Sequence, residues 1–396
     1  MDQLFADMSQ STFNLMLLGV LLSVSILADA IARRTRLPRI SLLVLVGVAY
    51  AVVQQGVLGE PHERPLGELS EPLINVALVM VAFLLGGELT LKRLRRTGPL
   101  ILILSVAVIL VGALAVGLGL TLLGYSLAVA VSLAAISVAT DPAAVSEAIR
   151  AEGDRSLKSR VILGIVAIDD AWGIIVFGFA MAGLGWATSG NGAEALTHAG
   201  WELGGALALG VALGLPATWL TGRIEPGEPT LVEALALILL IAGLSSYLQV
   251  SSLLAAMTAG FLIVNLSRRH TRSFSEIEHI EWPFLIFFFV LSGASVDLAY
   301  MGMAAWLTFA YIVLRLGGRY LGGYLGVRAL NHRNRGIPPD LGLALTPQAG
   351  VAMGMALLAA ERFPDQGSLI VATVVTSTIV FEVFGPMLVS RVVRER

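Results

Sequence analysis

Two adjacent carboxylates, Asp169 and Asp170, lie in the middle of the apolar run VILGIVAIDDAWGIIVFGF (residues 161–179). An ionised carboxylate at the centre of a bilayer costs about 2.5–3.5 kcal/mol on insertion scales, so two of them in one run indicate a functional site. The alternative is a structural pair at a helix interface, for which one carboxylate would suffice. Adjacent helical residues also point about 100° apart, so both would not face one partner.

Two proline motifs predict interruptions in membrane helices. Pro142 in ATDPAAV (139–145) and Pro347 in LTPQAGV (345–351) have no N–H to donate. Each proline also disfavours helical geometry at the residue before it, Asp141 or Thr346. Interrupted backbone at membrane depth survives where it is buried in protein or lines a cavity, and its freed carbonyls can bind ions. Thr140 and Asp141 are therefore candidate ligands.

Simpler roles remain open for both ligand candidates. Asp141 can serve only to cap the half-helix that begins at Pro142. Thr140 can simply bond to backbone, as threonine commonly does between packed membrane helices. Either role keeps both residues beside the interruption.

A carboxylate in such a cavity can hold a proton or a monovalent cation, but not both. Burial disfavours the ionised form, and hard cations prefer oxygen ligands. We therefore predict a cation- and proton-binding site at Asp170 or its neighbour Asp169, beside the interruption at Thr140 and Asp141. Competition at this site, combined with alternating access, would give cation/proton antiport.

Two arginines in YIVLRLGGRYLGGYLG (311–326) supply buried positive charge. Arg315 and Arg319 are four residues apart and share one helical face. A guanidinium in lipid needs a carboxylate partner, and Asp169 or Glu382, in the late motif FEVFGP, are the candidates. Because the two arginines cannot both pair with the aspartates, one is expected to be a structural clamp. Glu382 can instead bond to freed backbone.

The composition is that of an integral membrane protein. The 396-residue chain is 56% hydrophobic and 14% charged, against about 45–50% and about 25% in soluble domains. It has no Cys, and its five His lie in polar connections. A nucleotide-binding P-loop motif is absent, so we expect transport to be driven by a gradient rather than by ATP. We also expect no cofactor and no nucleic-acid partner. The N-terminus lacks a positive region, so the first span should be retained.

The sequence predicts an all-α integral membrane fold, because apolar runs long enough to cross a bilayer as helices number about thirteen. They are 13–32, 40–58, 71–90, 98–122, 125–149, 160–184, 200–220, 230–249, 252–267, 283–299, 303–327, 342–360 and 368–390.

The loop charges predict how these spans are oriented. All but four of the 26 Lys and Arg follow odd-numbered spans or lie in the C-terminal tail. Positive loops are cytoplasmic, so the N-terminus is predicted outside and the C-terminus in the cytoplasm. The same loops are expected to contact anionic lipid. The interrupted fifth and twelfth spans then run in opposite directions, as in inverted-repeat transporters.

Several of these motifs together resemble the monovalent cation:proton antiporter superfamily, the sodium/proton exchangers, over nearly the whole chain. They are TDPAAV, AIDDAWG, RLPRISLLVLVGV, FLLGGELTLKRLRR, LRLGGRYLGGYLG and FEVFGP. The resemblance implies ion binding at Asp170 and at Asp141 with Thr140, and a salt bridge from Asp169 to the basic residue of the eleventh span. The branch with paired Asp usually has Lys at that basic position, where this chain has Arg.

The resemblance also implies an architecture. Residues 1–396 would form one transporter unit with a mobile ion-binding core (98–185 and 303–390) and a scaffold for dimerisation (13–90 and 230–299). Residues 200–220 would be a linker helix. A homodimer in the cell inner membrane is expected, exchanging Na⁺ or Li⁺ for H⁺.

Other functions fit parts of the pattern. K⁺ can replace Na⁺ as the substrate, since selectivity depends on fine details of cavity size. An oxygen-lined cavity can also conduct as a cation channel, although inverted interrupted helices argue against this. Aspartates on neighbouring membrane helices also occur in intramembrane aspartyl proteases, but the residues before Asp141 and Asp169 do not match that pattern. Four further acidic residues near span ends are expected to reach the interface: Asp29, Glu88, Glu147 and Glu233.

Overall fold

Helices form all the regular structure in the computed structural model of the chain. It describes residues 10–35, 39–57, 66–88, 90–154, 156–189, 192–221, 230–267, 283–297, 301–330, 337–348 and 350–394. Every regular element within these ranges is helical, so the predicted all-α fold class is confirmed.

The first half of the chain contains α1 (Gln10–Thr35), α2 (Arg39–Ala51), α3 (Ser70–Glu88), α4 (Leu91–Leu122), α5 (Leu127–Ile136), α6 (Pro142–Glu152), α7 (Leu157–Ser189) and α8 (Gly192–Thr221). A π-helical turn, Val52–Val57, continues α2, and a 3-10 turn, Gly67–Leu69, precedes α3.

The second half contains α9 (Thr230–Leu248), α10 (Ser252–Leu266), α11 (Pro283–Ala294), α12 (Met301–Ala329), α13 (Gly350–Arg362) and α14 (Pro364–Arg394). A 3-10 helix, Leu341–Leu345, lies between α12 and α13.

Three helical segments in the described ranges are long and apolar enough to cross a bilayer: Leu100–Leu122, Gly200–Trp219 and Pro364–Arg394. Shorter apolar helices of 10–17 residues accompany them: Leu15–Ala28, Leu42–Val57, Ser70–Leu84, Leu127–Ile136, Trp172–Gly185, Val232–Leu248, Ser252–Leu266 and Pro283–Ala294. Each of these segments overlaps one of the apolar runs in the sequence. The count of thirteen spans stays a prediction.

Helix α4 presents a stripe of exposed leucines. Leu110, Leu114 and Leu118 follow one another at every fourth position and are 56–61% exposed. An apolar face of this kind is stable against lipid and unfavourable against water. Its exposure agrees with a membrane-embedded helix.

Glycines bring two pairs of helices into close contact. A Cβ on Gly260 of α10 would lie 2.1 Å from the Phe83 carbonyl oxygen, and one on Gly86 of α3 would lie 2.2 Å from the Met257 carbonyl oxygen. The α2–α11 contact is built in the same way. There, Cβ atoms on Gly47 and Gly293 would lie 2.0 and 2.2 Å from carbonyl oxygens of the facing helix. Small residues are what allow membrane helix backbones to approach this closely.

Helices α4 and α12 make a third close pair. A Cβ on Gly318 would lie 2.9 Å from the Cα of Gly112, and one on Gly322 would lie 2.7 Å from the Cα of Val108. The GGRYLGG stretch of α12 is therefore a packing surface as well as the carrier of Arg319. Close backbone contact fixes the position of the arginines relative to α4.

Helix α7, which carries the paired aspartates, has a capped N-terminus. The Ser156 hydroxyl accepts a hydrogen bond from the Ser159 N–H (3.4 Å). Asp154 orients this cap, since its Oδ2 accepts from the hydroxyls of Ser156 and Ser159, both at 2.6 Å. These hydrogen bonds, that from Ser156 first, lower the pKa of Asp154 below its ordinary value.

Removing the Asp154 carboxylate should destabilise the start of α7. We expect Asp154→Ala to lower the free energy of unfolding by about 1 kcal/mol, the usual effect of losing a cap. Because the pKa of Asp154 is lowered in the folded state, its contribution is present above the ordinary value of about 3.9 and is lost as the pH falls through the lowered value. Thermal unfolding in detergent should therefore show the same deficit at pH 7 and pH 5. A deficit that disappears already at pH 5 would contradict this assignment.

Candidate functional site

Two non-helical segments meet in the interior. Residues 137–141 separate α5 from α6, and residues 346–348 follow the 3-10 helix. The Asp141 N–H donates to the Pro347 carbonyl oxygen at 2.9 Å. The contact satisfies a backbone group that neither helix satisfies, as burial requires.

The sequence explains why the helices end here. Pro142 is the first residue of α6, where its missing N–H breaks no helical hydrogen bond. Asp141 caps α6, because its Oδ2 accepts from the Ala144 N–H at 3.2 Å. Gly385 of α14 leaves room for the second segment, since a Cβ there would lie 2.8 Å from Pro347 Cγ. The capping role considered for Asp141 is therefore present in the structure.

Asp169 lies fully buried on α7 and accepts from three side chains. Thr140 Oγ1 donates to its Oδ2 at 2.8 Å, and Ser105 Oγ of α4 donates to its Oδ1 at 3.2 Å. Arg319 Nη1 is 3.3 Å from Oδ2 and completes a buried salt bridge. Three hydrogen-bond donors, one of them the positively charged Arg319, favour the ionised form of a buried carboxylate.

Arg319 joins this carboxylate to the end of α5. Its Nη1 donates to Thr140 Oγ1 at 2.8 Å. Its Nη2 donates to the carbonyls of Ser137, Val138 and Ala139 at 2.8, 2.5 and 3.2 Å. One guanidinium thus pairs with Asp169 and also binds the free carbonyl groups at the C-terminal end of α5.

Arg315 lies one turn earlier on α12, is fully buried, and binds both non-helical segments. It donates to the carbonyls of Ser137 (3.2 Å), Ala139 (2.8 Å) and Thr346 (2.6 Å). Its guanidinium carbon also lies 4.5 Å from the ring centroid of Phe381. Of the two arginines, Arg319 faces Asp169 and Arg315 clamps backbone.

Glu382 lies on α14 with only 2% of its surface exposed. Its carboxyl group is hydrogen-bonded to the side chain of Asp141. Ionised carboxylates only accept hydrogen bonds, so a hydrogen bond between these two groups forms only when one of them is protonated. The glutamate thus meets the second aspartate of the predicted site.

Asp170 follows Asp169 on the backbone of α7, but its side chain lies outside the described part of the chain. The same holds for the side chains of Asp29, Glu88 and Glu147. Glu233 is half-buried in the first turn of α9. The structure therefore brings together Asp169, Thr140, Arg319 and Arg315 around the crossing, the point where the non-helical segments 137–141 and 346–348 meet. Asp141 and Glu382 lie beside them.

Sequence reasoning missed two contributors. Ser105 is a single hydroxyl in the apolar run ILILSVAVIL, and a buried polar residue in such a run was the available signal. Gln348 is fully buried, and its Oε1 accepts from the Tyr311 hydroxyl at 3.2 Å. Its neighbour Pro347 marked the position, but the tyrosine partner is remote in sequence.

The chemistry of the site is that of oxygen ligands. Its side chains offer carboxylate and hydroxyl oxygens, and its backbone offers carbonyl oxygens, all of which suit hard cations. Among the described residues, no group of three or more His, Cys, Asp or Glu could hold a resident metal ion. The arrangement fits a transiently bound monovalent ion and a proton.

Buried charges at the crossing of two non-helical segments, within apolar helices, are features of an integral membrane transporter. The family model described as "Sodium/hydrogen exchanger, transmembrane" matches residues 19–394. The chain therefore belongs to the sodium/hydrogen exchanger family, which confirms the resemblance read from the sequence. Membership makes it a transporter rather than an enzyme, so the intramembrane protease alternative is wrong. It also supports cation/proton antiport.

Solved structures show the same fold. The sodium proton antiporter MjNhaP1 from Methanocaldococcus jannaschii, determined at pH 8, matches with a TM-score of 0.73 and 18% identity over 98% of this chain and 100% of that one. An electron-microscopy map of MjNhaP1 matches with a TM-score of 0.69 and 18% identity, covering 95% and 97% of the two chains. No curated protein matches the sequence significantly.

Proposed function

We propose that the protein exchanges Na⁺ or Li⁺ for H⁺ by alternating access, with cation and proton competing for Asp170 and Asp141. The observation that carries the proposal is that the two described aspartates at the crossing have different partners. Asp169 is held by Arg319, Thr140 and Ser105, whereas the carboxyl groups of Asp141 and Glu382 lie against each other, where one proton would stabilise the pair. A carboxyl group that carries an exchangeable proton beside freed backbone is what antiport requires.

Alternating access is supported by the way the helices pair. Matching the fifth predicted span with the twelfth also matches the second with the ninth and the third with the tenth. The second, third, ninth and tenth spans are α2, α3, α10 and α11. If each helix is replaced by its match, the close glycine contact between α2 and α11 corresponds to the close glycine contact between α10 and α3. Repeats offset by an odd number of spans are inverted, so this symmetry supports inverted repeats with interrupted fifth and twelfth spans.

The same contacts favour two bodies within the transporter. The helices α2, α3, α10 and α11 fall in the proposed scaffold, 13–90 and 230–299, and pair tightly with one another. The α4–α12 pair and the crossing fall in the proposed mobile core, 98–185 and 303–390. Residues 200–220 within α8 would link them. We further propose a homodimer in the cell inner membrane, with the N-terminus outside and the C-terminus in the cytoplasm.

Asp170→Asn tests the proposal directly. The change removes the charge and keeps the size, so we expect proton flux driven by a cation gradient to be lost while the protein stays inserted. The measurement is proton flux in proteoliposomes under Na⁺, Li⁺ or K⁺ gradients, with and without an imposed membrane potential. The cation series separates Na⁺/H⁺ from K⁺/H⁺ antiport, and flux that saturates and needs a counter-ion separates antiport from a channel. Normal exchange by Asp170→Asn would overturn the site, and no exchange by the wild type with any cation would overturn the function.

A further inference from the structure

One face of α14 carries two buried oxygen atoms without hydrogen-bond partners among the described residues. They are Oε1 of Glu382 and Oγ1 of Thr378. The two residues are 2% and 1% exposed, so bulk solvent does not reach them. Four positions apart on a helix, they lie on the same face with Cβ atoms about 5–6 Å apart.

The two other buried hydroxyls of this helix, those of Thr373 and Ser377, differ from that of Thr378. Thr373 donates to the Leu369 carbonyl at 2.8 Å, and Ser377 donates to the Val374 carbonyl at 3.0 Å. Bonding to the preceding turn is thus the ordinary solution here. A buried polar atom without a partner is destabilising, so two on one face point to a ligand.

These oxygens border the crossing. Glu382 uses its carboxyl group to contact Asp141, whose N–H is bound by Pro347. Gly385, on the next turn of α14, touches the same proline. The face that carries Thr378 and Glu382 therefore points toward the non-helical segments.

We propose that Glu382 and Thr378 are ligands of the transported cation together with Asp141, an inference that rests on the proposed antiport. Glu382 Oε1, Thr378 Oγ1 and the Asp141 carboxylate supply three oxygen atoms from two elements, α14 and the start of α6. Hard monovalent cations bind such sets of oxygens. The last predicted span thereby contributes to the substrate site in addition to the fifth and sixth.

Thr378→Val and Thr373→Val form a matched pair to test this. Both changes remove one buried hydroxyl from α14 and keep the branched shape, but only Thr378 lacks a protein partner. We expect Thr378→Val to raise the half-saturating Na⁺ concentration for proton flux by about tenfold, a typical loss for a disturbed metal site. Thr373→Val should leave it within about twofold of wild type. Equal effects of the two variants would overturn the proposal.

Glu382→Gln provides a second variant, because glutamine keeps one oxygen and a hydrogen bond to Asp141 but loses the charge. Its half-saturating Na⁺ concentration should rise by at least about tenfold. Thermal stabilisation of the detergent-purified protein by added Na⁺ reports binding without transport and should weaken in parallel. If wild type exchanges and Asp170→Asn does not, but Thr378→Val and Glu382→Gln bind Na⁺ like wild type, this inference fails and the proposed function stands. If wild type neither exchanges nor is stabilised by any of the three cations, both fail.

Discussion

Asp141→Asn is expected to abolish cation-coupled proton exchange while leaving the protein folded and inserted. Asp141 has two roles in the structure, as the cap of α6 and as the partner of Glu382. Asparagine is as good a cap as aspartate because its side-chain oxygen accepts the same hydrogen bond. It cannot exchange a proton for a cation. The substitution therefore removes the transport chemistry alone.

Asp141→Ala is the matched comparison. It removes both cap and charge, so we expect the same loss of exchange together with about 1 kcal/mol less stability. Proton flux in proteoliposomes and thermal unfolding in detergent measure the two effects separately. Exchange that survives in Asp141→Asn but is lost in Asp141→Ala would mean that capping is the only role of this residue.

Breaking the buried pair of Asp169 and Arg319 should produce the largest loss of stability. Both side chains are at most 2% exposed, so removing one leaves an uncompensated charge in the interior. Such losses are about 3–5 kcal/mol for a single substitution. We expect Asp169→Asn and Arg319→Gln each to fall in this range. The double variant should be at least about 1 kcal/mol more stable than expected from adding the stability losses of the two single variants.

The pair of Arg362 and Glu202 is a control with a shorter contact. Its atoms are 2.7 Å apart, against 3.3 Å in the buried pair, but its side chains are 33% and 18% exposed. Exposed pairs contribute about 0.2–1 kcal/mol, so its double-mutant cycle should show the smaller coupling. Chemical unfolding in detergent measures both cycles. Equal coupling, or additivity at Asp169 and Arg319, would show that the buried pair is not an energetic unit.

The sequence was informative where a residue type is chemically out of place. Asp169 and Asp170 in an apolar run, and Pro142 and Pro347 within apolar spans, pointed to the site without a structure. Arg315 and Arg319 were visible for the same reason. Their assignment was not, because residues four apart on one helical face are equivalent until the facing helices are known.

Composition, hydropathy and loop charge determined that this is an all-helical membrane protein, because the bilayer restricts which residues can be buried. The motifs also determined its family. Only the tertiary structure decided that Arg319 rather than Arg315 meets Asp169, and that Asp141 meets Glu382. It also added Ser105, whose role depends on Asp169, a neighbour far away in the chain. Hydrogen bonds act over about 3 Å in space and are independent of sequence distance, so such pairings follow from the packing of helices alone.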